Sequence, residues 1–383
     1  MKILLGIPEY PPYHVGGGGE VYKQLAENYK KLGHDVVVIY GYYKTKSWNE
    51  KIKEYVDDAG IKFYQIPEIP YPKSMPFLRT VMLPNFKAWK QLKKIIKKEN
   101  PDVAHLHGYG LPFINILSKI LYNLGIKYIF TIHGYPETQN KSNIIVRLVW
   151  NIYVKFIMNK TLRNADVITC VSDYIKNDSR NIYQNKSVTI YNGINLKDYE
   201  TVGNNINLRK KYNIDNDELI IFSLGRISEM KGFQEVIKIM PKLKDSGIKI
   251  KYLIAGNDDG YKYILEKKIE MLGLQDNVVF VGFLDLEDKK QYLQQCDIFA
   301  IPSLWEPFGL VALEGIVFNK VILTTEIGGL KEILSNYKRK INIYDENITN
   351  VIKLNRNIFI NNKYIPKKFT WKYIVNIYLD KMF

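Results

Sequence analysis

The sequence predicts an α/β protein with two parallel-sheet domains. Short apolar runs, each followed by turn residues and then by an amphipathic helical pattern, alternate in two series along the chain. A polar, asparagine-rich stretch at residues 195–217 separates the two series. Such alternation builds parallel sheets covered by helices, and 383 residues are enough for two domains.

The first series opens with a strand at residues 2–7, a glycine-rich loop at residues 16–19, a helix ended by Gly33 and a strand at residues 36–40. Glycines there let the backbone approach a ligand at the helix N-terminus. A plain flexible loop is the alternative, because the glycine spacing matches neither a P-loop nor a dinucleotide fingerprint. Further strands are predicted at residues 61–66, 103–107, 128–133, 167–171 and 188–191.

Two histidines end neighbouring strands of this predicted sheet. His107 and His133 each close an apolar run, and each precedes a glycine. Ligands of open parallel sheets bind beyond the carboxyl ends of the strands. Both side chains are therefore placed where chemistry would occur, although a core or loop histidine explains either one equally well.

A helix predicted to begin at Pro84 has an apolar stripe and an otherwise basic surface. That surface carries Lys87, Lys90, Lys93, Lys94, Lys97 and Lys98. One interpretation is a sheet-covering helix with a solvated face. The other is a docking surface for an anionic membrane or a lipid-linked acceptor. A second long basic helix is predicted at residues 144–162.

The second series places strands at residues 219–224, 250–255, 278–281, 298–301 and 321–324. Asp215 and Asp217 have the spacing of a metal-binding carboxylate pair, but they precede a strand instead of following its carboxyl end. We interpret them as a linker loop and expect no metal site. The predicted domains are residues 1–194, together with a C-terminal helix at 369–383, and residues 195–368.

The C-terminal helix has a complete apolar stripe at helical spacing. Its members are Trp371, Ile374, Val375, Tyr378, Leu379 and Met382. Such a face must be buried. We therefore expect this helix to pack back over the first domain.

The stretch at residues 301–315 leads from a strand through a proline- and glycine-rich turn into an apolar helix. A helix N-terminus attracts a phosphate. Glu314, about one turn into the helix, points back and reaches a group beside that phosphate, such as a ribose. If a second phosphate follows the first, Glu306, in the turn before the helix, is expected to face the group attached to that second phosphate. The alternative is two solvated glutamates in a common type of turn.

Composition limits the classes of function. The net charge of +16 attracts anions, whether nucleic acid, acidic lipid or phosphorylated substrate. Cys170 and Cys296 lie in separate apolar runs without metal-ligand spacing, as expected of reduced thiols in a cytoplasmic protein. No apolar run approaches the ~18 residues of a membrane span.

Together these residues resemble the retaining GT-B glycosyltransferases that carry the E-x7-E signature. The matching pieces, in chain order, are the glycine-rich loop with Glu20, Gly33 to Val36, His133-Gly134, Val171-Ser172, Asn192 to Ile194, Gly225-Arg226 with Lys231-Gly232, Ala255-Gly256, Gly282-Phe283, Pro302-Ser303, Glu306 to Gly309 with Glu314, and Gly328-Gly329 with Glu332. The resemblance implies two Rossmann-like domains facing a cleft, with the C-terminal helix crossing back.

The resemblance also implies catalytic roles for four residues. Arg226 and Lys231 would clamp the donor diphosphate and take the place of a metal. Glu306 would accept hydrogen bonds from the sugar hydroxyls, and His133 would contact the sugar from the other domain. Asn195 departs from the aspartate that the family often has there, with little effect expected.

The same resemblance implies further donor-binding residues. Glu314 would bind the ribose hydroxyls. Gly18 and Gly19 would lie under the phosphates, Phe283 near the base, and the backbone N–H groups of Phe308, Gly309, Leu310 and Val311 at a phosphate or the sugar. No cofactor is implied, since the nucleotide sugar, linked to UDP or GDP, is a substrate.

The expected function is metal-independent transfer of a sugar to a glycan, lipid-linked or other hydroxyl acceptor, in the cytoplasm or at the inner face of the membrane. Lys87, Lys90, Lys94, Lys97 and Lys98 would face that membrane. The alternatives are a related phosphorylase or nucleotide-sugar epimerase, an inactive scaffold, and a basic nucleic-acid-binding protein. The last lacks a binding motif, so no nucleic-acid partner is expected.

Overall fold

The computed structural model describes residues 1–11, 17–42, 51–69, 83–84, 86–135, 156, 158–178, 180–355 and 365–382. The chain forms two compact units, Met1–Gly193 with Trp371–Phe383 and Ile194–Thr370. The sequence-based boundaries were placed one to two residues away, after residues 194 and 368.

The first unit contains a mixed sheet with a parallel centre. Its strands are β1 (Lys2–Ile7), β2 (Asp35–Tyr42), β3 (Lys53–Val56), β4 (Lys62–Ile69), β5 (Leu83–Pro84), β6 (Val103–His107), β7 (Tyr128–Ile132), β8 (Val167–Cys170) and β9 (Ser187–Thr189). They follow the order β3-β4-β2-β1-β6-β7-β8-β9, with β5 paired to β4. Among the described strands, only the pairs that β4 makes with β3 and β5 are antiparallel. The central strands are apolar because helices cover both faces.

The helices of this unit follow the predicted alternation with corrected starts. They are α1 (Gly17–Lys31), α2 (Phe86–Glu99), α3 (Pro112–Asn123), α4 (Asn159–Arg163) and α5 (Asp173–Lys176). Gly17 to Gly19 form the first turn of α1, so the predicted loop does not include them. Pro84 pairs in β5 and does not begin α2, because an edge strand tolerates a residue without an N–H. Most of the predicted helix at residues 144–162 lies outside the described residues.

The second unit contains a parallel sheet of six described strands. They are β10 (Leu219–Leu224), β11 (Ile250–Ala255), β12 (Val278–Gly282), β13 (Ile298–Ile301), β14 (Val321–Thr324) and β15 (Lys340–Asn342), in the order β12-β11-β10-β13-β14-β15. The helices are α6 (Leu208–Lys211), α7 (Phe233–Asp245), α8 (Lys262–Met271), α9 (Leu286–Gln295), α10 (Leu310–Val317), α11 (Gly329–Ile333) and α12 (Ile348–Asn355). Strand order reverses beside β10, so the loops after β10 and β13 meet at the carboxyl edge, where ligands of such sheets bind.

The C-terminal helix α13 (Trp371–Met382) belongs to the first unit, as the sequence predicts. It packs on α1 and buries Trp371, Ile374, Val375 and Tyr378. Gly193 lies so close that an added Cβ would be 2.9 Å from the backbone nitrogen of Trp371. The apolar stripe is therefore covered by the sheet and helix of the first unit.

Among the described residues, no helix has both the length and the apolar character needed to cross a membrane.

Candidate functional site

Two loops interlock at the carboxyl edge of the second sheet. The N–H of Leu304, after β13, donates to the carbonyl of Met230, after β10, at 2.8 Å. Gly232, with φ of 68°, lies so close to β13 that a Cβ there would be 1.8 Å from the carbonyl oxygen of Pro302. This contact fixes the preceding residue, Lys231, beside the turn that carries Glu306.

Lys231 and Glu306 form a short ion pair at this edge. Lys231 Nζ is 2.6 Å from Glu306 Oε2, and the hydroxyl of Ser303 donates to the same oxygen at 3.2 Å. The Glu306 side chain is 11% exposed and that of Lys231 25%. The aliphatic part of Lys231 passes over Gly225, where an added Cβ would meet it at 3.5 Å. The structure thus brings together two residues that the sequence separates by 75 positions.

Arg226 lies on the same loop as Lys231 but has a different partner. Its Nη1 donates to Asp259 Oδ2 at 2.7 Å, and both side chains are nearly half exposed. An exposed pair of this kind contributes little stability and exchanges readily for another anion. The two cations expected to share one diphosphate are therefore each paired with an acid of the chain.

The turn before α10 is shaped by glycines. Gly309 has φ of 102° and caps α10, while Gly329 lies against the backbone of Phe308, where a Cβ would be 2.5 Å from the carbonyl oxygen. Phe308 is buried, with its ring edge-to-face with that of Phe369 at 6.1 Å between centroids. Leu310 and Val311 begin the helix half-buried. The helix therefore presents its first N–H groups beside Glu306.

Glu314 has two partners on one oxygen and none on the other. Its Oε1 accepts from Lys289 Nζ at 2.6 Å and from the hydroxyl of Tyr199 at 2.8 Å. Its Oε2 is buried and, among the described residues, has no hydrogen-bond partner. A buried carboxylate oxygen without a partner is costly unless a ligand donor fills it. Lys289 and Tyr199 were not identified from the sequence, because neither stands in a recognisable motif.

Phe283 follows β12 and is 71% exposed. Gly282 before it has φ of 87°, a left-handed conformation that turns the chain out of the strand. The residue expected near a base is thus a large apolar side chain presented to solvent.

Two histidines of the first unit, His107 and His133, form a pair. His107 Nδ1 lies 2.8 Å from His133 Nε2, at the ends of β6 and β7. The ring of Tyr22, on α1, contacts both imidazoles, at 5.1 and 5.4 Å between centroids. Burial lowers the pKa of His133 to about 4 and that of His107 well below its usual range. Both rings are therefore neutral at pH 7.

The predicted glycines lie beside this pair. Gly18 and Gly19 are in the first turn of α1, and a Cβ on Gly18 would be 3.5 Å from the hydroxyl of Tyr22. The structure thus brings Gly18, Gly19 and His133 to one edge of the first unit, and the remaining predicted residues to one edge of the second.

The lysine face of α2 is partly neutralised. Lys98 Nζ is 3.0 Å from Glu54 Oε1, so this lysine belongs to an ion pair of the sheet edge. Lys90, Lys94 and Lys97 are exposed, and no carboxylate of the described residues lies within 4.0 Å of their ammonium groups. The side chain of Lys87 lies outside the described part of the chain.

The linker carboxylates have a structural partner, since Lys249 Nζ is 2.9 Å from Asp217 Oδ2. No group of three or more His, Cys, Asp or Glu side chains in the described residues has a metal-binding arrangement. Cys170 and Cys296 are both buried and free.

Two family models match the chain. The model described as glycosyl transferases group 1 matches residues 204–367, and that of glycosyltransferase family 4 matches residues 15–198. Together they cover most of both units.

Individual proteins and a solved structure also resemble the chain over most of its length. An uncharacterized glycosyltransferase of Methanocaldococcus jannaschii is 31% identical over 91% of this chain and 86% of its own length. The GPI3 subunit of phosphatidylinositol N-acetylglucosaminyltransferase from Saccharomyces cerevisiae is 26% identical over 87% of this chain and 67% of its own. The structure of Anabaena HepE in complex with UDP and glucose has a TM-score of 0.66 at 16% identity, over 100% of this chain and 95% of that one.

Proposed function

Because the chain belongs to the family of group 1 glycosyltransferases and has their two-domain GT-B fold, we propose that it is a retaining glycosyltransferase. It would transfer a sugar from a nucleotide-sugar donor to a hydroxyl acceptor with retention of configuration. HepE, which shares the fold, was crystallised with UDP and glucose. The name of the yeast relative indicates transfer to a lipid. These names support a nucleotide-sugar donor and a glycan or lipid-linked acceptor in glycan or glycolipid assembly.

The observation that carries the proposal is the arrangement around Glu306. Lys231 contacts Glu306, and Glu314, on the helix that follows the same turn, has a buried oxygen without a hydrogen-bond partner among the described residues. A bound donor would contact Glu314 with its ribose, Lys231 with its diphosphate and Glu306 with its sugar hydroxyls. Arg226 would leave the exposed pair with Asp259 and join Lys231 on the phosphates.

The proposed transfer depends on stabilising the charge that develops on the leaving group. As the bond between the sugar C1 and the phosphate oxygen breaks, negative charge develops on the leaving diphosphate, and fixed cations stabilise it. The acceptor oxygen attacks C1 from the face that the phosphate leaves, and its proton passes to a phosphate oxygen. Configuration at C1 is thereby retained. We propose that Lys231 and Arg226 supply the charge stabilisation that a metal ion supplies in other transferases.

The test begins with a thermal-shift screen of UDP- and GDP-sugars, because a specific ligand raises the melting temperature by mass action. The donor that binds is then incubated with glycan and lipid-linked acceptors. Transfer requires release of nucleoside diphosphate that depends on acceptor, and NMR of the product reports the anomeric configuration. Conversion of the donor without acceptor indicates an epimerase, and consumption of inorganic phosphate a phosphorylase. Unchanged activity with a chelator supports the metal-independent step.

Lys289→Met is expected to raise KM for the donor about tenfold, the effect of losing one charge-assisted hydrogen bond, with little change in kcat. Lys289 donates to Glu314 Oε1, so the variant loosens the carboxylate whose other oxygen, Oε2, should face the ribose. Tyr199→Phe should have a smaller effect in the same direction. The matched control is Lys238→Met, which removes the lysine partner of another largely buried carboxylate, Glu235, outside the site. Equal KM values in Lys289→Met and the control would exclude a ribose-positioning role.

We also propose peripheral binding to an anionic membrane at the cytoplasmic face through α2. Lys90, Lys94 and Lys97 support this because they are exposed and not neutralised by described carboxylates. Wild-type protein should sediment with phosphatidylglycerol vesicles but not with phosphatidylcholine vesicles, and the triple Lys→Gln variant should lose most of that binding. Lys98→Gln is the control, because Lys98 is paired with Glu54. Equal sedimentation with both lipids would contradict an electrostatic membrane surface.

A further inference from the structure

The histidine pair of the first unit contains a buried ring atom that the proposed function does not explain. His107 is fully buried, and its Nε2 has no hydrogen-bond partner among the described residues. Its other nitrogen, Nδ1, meets His133 Nε2 at 2.8 Å. Since both imidazoles are neutral at pH 7, each carries one ring proton, and one N–H donates across this contact.

The two arrangements of the protons differ in what they leave buried. If His133 donated, His107 would carry its proton on Nε2, and a buried N–H would have no acceptor. If His107 donates from Nδ1, only a lone pair on Nε2 is left without a partner. Orphaned buried N–H groups are rarer in proteins than under-satisfied acceptors. The burial of His107 therefore favours donation from His107 to His133.

We propose that His107 is a positioning residue that holds His133 in the tautomer with its proton on Nδ1. His133 Nε2 is then occupied as an acceptor, and the open nitrogen of His133 can only donate. His133 Nδ1 has no hydrogen-bond partner in the described chain, and the residue is partly exposed. Such a donor fits a hydroxyl or ring oxygen of a sugar and does not fit a general base. The role in transfer depends on the proposed function, whereas the tautomer does not.

The surroundings keep this arrangement neutral. In the described part of the chain, the other titratable groups whose rings contact the pair are Tyr22, which covers both imidazoles, and His105, whose ring lies 4.2 Å from that of His107. His105 is a core residue, because its nitrogens are bonded to the hydroxyls of Tyr29 and Thr131. Burial lowers its pKa to about 3 and raises that of Tyr22. None of these groups supplies a charge that would protonate His133.

The direct test is long-range proton–nitrogen NMR of the ligand-free protein labelled with ¹⁵N-histidine, with signals assigned by single substitutions. The ¹⁵N shifts distinguish a protonated ring nitrogen from an unprotonated one. We expect His133 to be protonated on Nδ1 and His107 on Nδ1 between pH 6 and 8. A protonated Nε2 on His133 overturns the proposal, whatever the enzyme's activity.

Substitutions of His107 then test the consequence for catalysis. His107→Asn keeps an N–H donor on Cγ and should preserve the His133 tautomer and most of kcat. His107→Asp offers only acceptor oxygens, so His133 must donate from Nε2. We expect kcat to fall at least about tenfold, as for one lost hydrogen bond to the reacting sugar. Its pH profile should change too, because the carboxylate raises the His133 pKa.

A purely structural His107 would give a different pattern. Asn and Asp, which are nearly equal in volume, would then lower stability and activity alike, and the His133 tautomer would stay the same in both. That outcome overturns the positioning role. If His107→Asp does not fold, the NMR signature of the wild type and of His107→Asn decides the question. If the wild-type protein has His133 protonated on Nδ1 but shows no sugar transfer, the proposed function is rejected and the tautomer assignment stands.

Discussion

Lys231→Ala is expected to reduce kcat about 10²- to 10³-fold. In the proposed mechanism the ammonium stabilises negative charge on the leaving diphosphate, and removal of one such stabilising group costs about 3 kcal/mol of transition-state stabilisation. KM for the donor should change less than kcat if the contact strengthens as the bond breaks. The measurement is steady-state release of nucleoside diphosphate at several donor concentrations.

The same substitution leaves Glu306 with only Ser303 as a described partner. Its side chain is 11% exposed, so we expect the melting temperature to fall as well. Lys231→Ala/Glu306→Ala removes both charges and should recover part of that stability, while activity stays low. Lys238→Ala, which removes the partner of Glu235, a carboxylate of similar exposure (12%) outside the site, is the control for loss of a lysine. Near-normal kcat in both Lys231→Ala and Glu306→Ala would reject this site.

The fold was predictable because its signal is local. The apolar runs at β1, β6 and β10 and the stripe of α13 are each contained in one segment, so the two-domain GT-B fold could be predicted and is confirmed. Edge strands carry a weaker signal. β3 has no apolar run, since its first two residues are charged and all four are exposed, and among the described strands it pairs antiparallel with β4 alone. The sequence also does not predict β5 and β15, which like β3 are short strands at the edges of their sheets whose stability depends on a partner.

Only those residues of the site that stand in sequence motifs could be predicted. The family resemblance assigns Lys231 and Glu306 to one donor, but the sequence does not predict the ion pair between them, because alternation alone does not show that β10 and β13 are neighbours. The contact of Lys289 with Glu314 does not follow, because it depends on how the face of α9 is turned towards α10. Nor does the partner of Arg226, since Asp259 lies in a loop without a motif. The roles of all these residues in donor binding remain predictions.

Gly232→Ala is expected to have the second largest effect, by moving the loop that carries Lys231. A Cβ at this position would lie 1.8 Å from the carbonyl oxygen of Pro302, so the backbone of one loop must shift. The left-handed conformation, with φ of 68°, adds about 1–2 kcal/mol for a residue with a side chain. Urea denaturation should show a loss of stability larger than this conformational cost alone. The shift should also lower kcat, because Lys231 would move from the position in which its charge is proposed to stabilise the leaving diphosphate.

Gly247→Ala separates the two contributions. Gly247 has φ of 78° and nothing within 4 Å of its would-be Cβ, so the substitution carries the conformational cost without the clash. We expect it to lose about 1–2 kcal/mol of stability and to keep kcat. If Gly232→Ala behaves like Gly247→Ala in both measurements, the contact with Pro302 does not position Lys231. A loss of kcat confined to Gly232→Ala would instead show that catalysis depends on the close approach of the two loops. Position 232 would then require glycine for two reasons, the left-handed backbone conformation and the lack of space for a Cβ.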